Sequence, residues 1–227
     1  KDGLPSNYSI KKIVAASSAA IYGDPSPALL PLVESTGYSG KSPYADTKYR
    51  MEGLMQHFVD KQNAEHTDIV KEDGTTDKAI ESTSAVALRF FNVYGPRQDA
   101  KNPYSGVISL FLERAMLGND ITILGDGEMT RDFIYVKDVA RAIVLSLLQE
   151  PKMKKSDDKA SFAVYNVCTG KSITINTLAD QIKTSMESQS EVTHLDPRDG
   201  DIRASSCNPN GAKARIGFIS TVSQEDG

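Results

Sequence analysis

Residues 13–16, Ile-Val-Ala-Ala, form an unbroken apolar run that two serines, Ser17 and Ser18, close. Such a run fits a strand buried on both faces, as in a parallel sheet. A Pro- and Gly-rich loop follows. Ser42 and Pro43 then make a helix start, a hydroxyl N-cap followed by proline in the first turn. Met51, Leu54, Met55, Phe58 and Val59 recur at the spacing of one apolar helix face. Carried backwards, that stripe reaches Lys48 and Tyr44, so the pattern predicts a lysine on the inward face.

Further along, "AVALRFFNV" predicts a second buried strand with Asn92 near its end, and residues 107–118 predict a helix stopped at Gly118. "DITIL" reads as a short strand and "VKDVARAIVLSLLQ" as an amphipathic helix. "AVYNVCTG" reads as a strand ending at a glycine turn, and "ITINTLADQIKTSME" as a strand-like start and a helix. The tail from Glu191 is loop-rich, with a short helix near Ala212. Two polar stretches, "EHTDIVKEDGTTDKAIESTS" and "PKMKKSDDKAS", have no period; they read as a surface insertion of disorder-prone composition and a loop. Strands alternating with helices predict an α/β fold built on a parallel sheet.

Composition narrows the function classes. Of 227 residues, 39% are hydrophobic and 25% charged, values of an ordinary globular protein. A net charge of -4 gives no electrostatic footprint for nucleic acid or an anionic membrane, and there is no long apolar run to span one. Two cysteines, Cys168 and Cys207, without a C-x-x-C, and three histidines without ligand spacing, indicate neither a disulfide scaffold nor a metal site. A reducing, cytoplasmic setting fits. No G-x-G-x-x-G or P-loop glycine pattern occurs.

Lys48 has an ordinary explanation: the stem packs and the ammonium reaches water. Tyr44 adds a sharper one. Residues four apart on a helix are neighbours, and a phenol of pKa about 10 needs a cation beside it to serve as a base near neutrality. A Tyr-Lys pair is therefore a proton-transfer device. Y-x-x-x-K alone recurs by chance. Here it follows an apolar strand ending in Ser-Ser, and the order resembles the short-chain dehydrogenase/reductase superfamily. The wording resembles the extended branch, the NAD-dependent nucleotide-sugar epimerases and dehydratases. The pieces "SSAAIYGD", "SPYADTKY", "LRFFNVYGPRQD", "ILGDGEMTRDFIYVKDVARAI", "YNVCTGKSITINTLAD" and "PRDGDIR" run in the family's order over most of the chain.

The resemblance implies a Rossmann-like parallel sheet with a smaller α+β substrate-binding lobe. The glycine-rich dinucleotide loop of the family precedes the Ser strand, so roughly 100 residues, the N-terminal half of the Rossmann sheet, are expected to be absent from this sequence. The expected division gives residues 1–98 to the NAD-binding domain, with 132–168 returning to it. Residues 99–131 and 169–227 would form the nucleotide-sugar lobe. Tyr44 would be the base, Lys48 would bind the nicotinamide ribose and favour the phenolate, and Ser18 would hydrogen-bond the reacting oxygen. Ser17 and Phe91 would lie on the cofactor side. Asn92, Arg131 and Arg198 would hold the diphosphate, Asp201 a ribose hydroxyl, and Val107 the uracil. Ser205, four after Asp201, would gate the sugar pocket, its small size leaving room for an N-acetyl group.

Ala19 and Ala20 stand where the 4,6-dehydratases carry acids, which favours simple epimerisation over loss of water. The implied activity is NAD-dependent C4 epimerisation of a UDP-hexose, UDP-Glc/UDP-Gal with UDP-GlcNAc/UDP-GalNAc admitted, by a homodimer. The alternatives are a UDP-glucuronate 4-epimerase or decarboxylase, and a non-catalytic nucleotide-sugar-binding relative. This sequence by itself is expected to bind NAD poorly, to be inactive, and to be unstable or sticky, because the pyrophosphate cradle is absent and a sheet edge and apolar faces are uncovered.

Overall fold

A computed structural model describes residues 10–65, 69–70, 76–77, 83–99, 106–149, 162–198 and 200–227. In chain order the strands are β1 (Lys12–Ser18), β2 (Ile69–Val70), β3 (Thr76–Asp77), β4 (Ser84–Phe90), β5 (Asn92–Tyr94), β6 (Ile121–Leu124), β7 (Thr130–Tyr135), β8 (Phe162–Val167), β9 (Ser172–Thr174) and β10 (Val192–Leu195). The helices are α1 (Pro43–Glu65), α2 (Val107–Met116), α3 (Val136–Leu148), α4 (Ile175–Ser185) and α5 (Asn210–Ile216).

β1, β4 and β8 form a parallel sheet in the order β1-β4-β8. Alternation along the central strand sends Ala85 and Ala87 to one face, under Met55 and Val59 of α1. It sends Val86 and Leu88 to the other, where Val139 and Ala142 of α3, Ala212 and Ile216 of α5, and Phe218 cover them. Helices on both faces are the arrangement a parallel sheet requires. β1 departs from the expectation of burial on both faces. Among the described residues it pairs with β4 alone and is half-buried, while β4 is the enclosed strand.

A second core unites Ile108 and Phe111 of α2, Ile121 and Ile123 of β6, Phe133 of β7, and Leu178 and Ile182 of α4. Its sheets are short and mixed: β5 pairs β7 in parallel, β7 pairs β9 antiparallel, and β6 pairs β10 in parallel. This is the α+β lobe. α5 lies outside it. The expectation gave residues 169–227 to the lobe, but α5 packs on α3 and β8 of the parallel sheet because Ala212, Ile216 and Phe218 supply an apolar face there.

α1 also differs from its predicted stripe. Its inward row is Ala45, Lys48, Glu52, Met55 and Val59, while Leu54 is 68% exposed and Phe58 lies outward too. A charged residue, Glu52, takes the place the apolar count gave to its neighbours. Of the first polar stretch, the described residues are the end of α1, the β2–β3 ladder and residues 83–84 at the start of β4; the rest of it and the stretch around residue 155 lie outside the described residues. No helix among the described residues is long and apolar enough to cross a membrane.

Candidate active site

Ser17 and Ser18 close β1 with their hydroxyls on opposite sides, as strand alternation demands. Ser18 caps the 3-10 turn Ala19–Tyr22, its Oγ accepting from the Ala20 N–H at 3.1 Å. The hydroxyl proton remains for donation. Gly23 ends the turn at φ +63°, where a Cβ would run into the Ser39 carbonyl. Ser18 faces a cleft of about 160 Å³ also lined by Ala19, Ala20, Phe91, Asn92, Arg131 and Ser205. A larger cavity of about 1000 Å³ lies between α2 and α4 and holds none of the expected site residues.

The start of α1 forms as its sequence dictates: Ser42 Oγ accepts from the Ala45 N–H at 3.1 Å, and helix begins at Pro43. Lys48 Nζ donates to the Ala16 carbonyl of β1 at 2.8 Å and lies 5.7 Å from the centre of the Tyr44 ring. Tyr44 is 54% exposed. The pair thus stands near the carboxyl end of β1, where open α/β sheets bind ligands.

Other expected residues fall variously. Asn92 Nδ2 donates to the Asp132 carbonyl at 3.1 Å and lines the cleft. Arg131 and Asp201, both assigned to the nucleotide, meet each other at 2.7 Å. Burial weakens the hold of Arg131 on its proton, and Asp201 opposes that. Ser205 is buried at the cleft wall. Phe91 is buried against Tyr22, with ring centres 6.4 Å apart. Arg198 is exposed, and its carbonyl accepts from the Asp201 N–H. Val107 packs on the core of the lobe, outside the residues that line the Ser18 cleft.

Ser17 is buried, and its hydroxyl donates to Glu52 at 2.5 Å. One expectation needs correction. Cys168 and Cys207 form a disulfide with Cα atoms 6.3 Å apart, against the expectation of no disulfide. The pairing is non-local. A bridge between Leu32 and Cys207 carries the loop after β10 to the end of β8, where Cys168 lies. Sequence spacing has no sight of that path. Beside the disulfide, Asp132 accepts from the Thr169 N–H and hydroxyl and the Gly170 N–H. Burial pushes its carboxyl up to about 6, against those hydrogen bonds.

Sequence reasoning also missed a buried polar group below Tyr44 and Lys48. Arg89 of β4 pairs with Glu52 of α1 and reaches Tyr22. The signal was present, since an arginine inside "AVALRFF" is as anomalous as a lysine on an apolar helix face.

Comparison with known proteins adds the family. Residues 5–168, well over half of the chain, match the family described as NAD dependent epimerase/dehydratase. The chain belongs to that family. A UDP-glucose 4-epimerase of Dictyostelium discoideum is 25% identical over 98% of this chain and 61% of its own length. The crystal structure of UDP-glucose 4-epimerase with UDP-glucose from Thermotoga maritima superposes with a TM-score of 0.79 at 31% identity, covering 96% of this chain and 60% of that one. UDP-N-acetylglucosamine 4-epimerase from Methanobrevibacter ruminantium, in complex with UDP-N-acetylmuramic acid, gives 0.74 at 36%, covering 96% and 59%. The chain therefore spans about 60% of the length of these relatives.

NAD is the cofactor of the family. The residues present fit its nicotinamide end. Lys48 is anchored to Ala16 beside an open Tyr44 ring, so a cation and a phenol share one exposed site at the strand ends. A glycine-rich turn for the diphosphate does not occur in this sequence.

Proposed function

We propose that the polypeptide carrying this chain interconverts the C4 epimers of a UDP-hexose. The observation that carries the reading is the Ser18 cleft. It joins a hydroxyl at a strand end to Asn92 and Arg131, with alanines at 19 and 20. NAD, when bound, would supply the acceptor and donor for the C4 hydride within one cycle.

The residues supply the rest. Tyr44 takes the proton of the C4 hydroxyl as the C4–H bond gives up its electron pair, leaving a C4 ketone. Lys48 steadies the negative charge on that phenol and orients it against the cofactor ribose. Ser18 donates to the C4 oxygen throughout. With the keto-sugar presenting its other face, Tyr44 would give the proton back to the C4 oxygen as C4 regains its hydride, so atoms and electrons balance. With alanine at 19 and 20, no carboxyl of that turn protonates a leaving hydroxyl, which favours epimerisation over dehydration. Arg131 and Arg198 serve the diphosphate, its fork-shaped donors matching phosphate oxygens. Asn92 joins them there, Asp201 and Val107 serve the ribose and the uracil, and Arg131 exchanges Asp201 for phosphate. The small Ser205 admits N-acetylated hexoses. The assembly is a homodimer, and the apolar Leu54 and Phe58 on the outer side of α1 offer a face for it.

The test supplies NAD and either UDP-glucose or UDP-GlcNAc to the full encoded polypeptide, and reads the C4 configuration of the products by proton NMR. Formation of the axial epimer in either tube is expected. Bound NAD without turnover of either sugar rules the reading out.

A further inference from the structure

The parallel sheet carries one polar row near its carboxyl end. Register aligns Ser17 of β1 with Arg89 of β4, and Arg89 with Asn166 of β8, so the three side chains leave the same face. Glu52 stands over this row. It lies four residues after Lys48 and eight after Tyr44, on the same side of α1. Its carboxylate, 4% exposed, accepts from Ser17 Oγ at 2.5 Å, Arg89 Nε at 3.0 Å and Arg89 Nη2 at 2.7 Å. Arg89 Nη1 donates to Tyr22 Oη at 2.9 Å and to the Glu34 carbonyl at 3.1 Å. The Tyr22 hydroxyl in turn donates to Asn166 Oδ1 at 2.7 Å. Burial pushes the Tyr22 phenol up against the pull of Arg89, so it stays a neutral donor.

Stability alone is a weak reason for this arrangement, because a buried ion pair is commonly no better than apolar residues of similar volume. Its geometry does more. The two-pronged guanidinium fixes both the rotation and the axial position of α1. Ser17 is the chain neighbour of Ser18, and Tyr22 closes the turn that Ser18 caps. The network therefore touches each element that bears Ser18, Tyr44 and Lys48.

We propose that Glu52, clamped by Ser17 and Arg89, is a positioning residue that sets Tyr44 and Lys48 against Ser18. Its catalytic consequence rests on the epimerase reading; the clamp itself does not. Ser17 acts here through Glu52 rather than on the cofactor.

The experiment uses the full encoded polypeptide with NAD. Glu52→Gln keeps the shape but removes the charge that holds the guanidinium fork. Ser17→Ala removes one hydrogen bond to the same carboxylate and leaves the ion pair. Each variant is measured for kcat and KM, for amide hydrogen exchange along residues 46–56, and for cooperative melting. For Glu52→Gln a single melt is expected, with exchange of those amides faster by about tenfold or more. Its kcat falls by about tenfold or more while KM stays within about threefold. Ser17→Ala follows the same pattern at several-fold, and carries the test if Glu52→Gln does not fold. Unchanged exchange, faster exchange with unchanged kcat, or a change in KM alone overturns the proposal. If the parent protein turns over no UDP-sugar, the epimerase reading fails separately. Exchange then decides the clamp: faster in the variants supports it, unchanged overturns it.

Discussion

Ser205 and Ala20 line the cleft beside Ser18, and both are small. At a wall of this kind, side-chain volume acts directly on which sugar fits. The Ser205→Tyr variant is expected to keep UDP-glucose turnover within about threefold and to lose UDP-GlcNAc turnover by about a hundredfold, a discrimination typical of steric exclusion from a pocket. Competing kinetics on the two sugars check it; equal loss on both contradicts the gate. At this scale the sequence spoke through anomalies. Lys48 on an inward helix row was legible because a charge there conflicts with the apolar pattern. Arg89 carries the same conflict inside a strand, but its meaning lies in Glu52, 37 residues earlier, and the contact exists only once α1 lies over β4. The contact of Ser17 with Glu52 was hidden for the same reason: two adjacent serines look alike in a sequence, and strand alternation sends them to different partners.

Among the elements, α1 shows what capping and periodicity can and cannot give. Ser42 and Pro43 located its start, while its rotation followed Glu52 and left Leu54 and Phe58 outside. α2, α3 and α4 followed their patterns, because each buries a broad apolar face. β9 answers to the strand-like start read before α4, but its pairing with β7, the three-residue strand β5 and the pairing of β10 with β6 had no comparable signal, since their partners are remote in sequence. The disulfide belongs here too. It fastens the loop that holds Ser205 to the end of β8 and closes 39 residues. Loop-closure entropy for that length gives up to about 4 kcal/mol. Cys207→Ser in the full polypeptide is therefore expected to lose about 2–4 kcal/mol of unfolding free energy by urea titration with its far-ultraviolet signal intact. An unchanged midpoint contradicts a structural role for the bond.

On the scale of the molecule, two cores divide the work. The parallel sheet brings Ser18 to a strand end and holds α1, with Lys48 bonded to Ala16 of the same strand, and the mixed lobe brings Arg131 and Ser205 to the cleft that Ser18 lines. The fold class was legible because alternating strands and helices admit few architectures. The lobe boundary was not, because α5 returns to the sheet through three apolar residues in an otherwise loop-like tail. The central claim is that C4 is oxidised and reduced within one cycle on this scaffold. It is tested most directly by giving the full polypeptide and NAD a UDP-glucose deuterated at C4 and examining the epimer by NMR. Deuterium retained at C4 of the axial product is the predicted result. An epimer that has exchanged the label for solvent hydrogen, or no epimer at all, contradicts it.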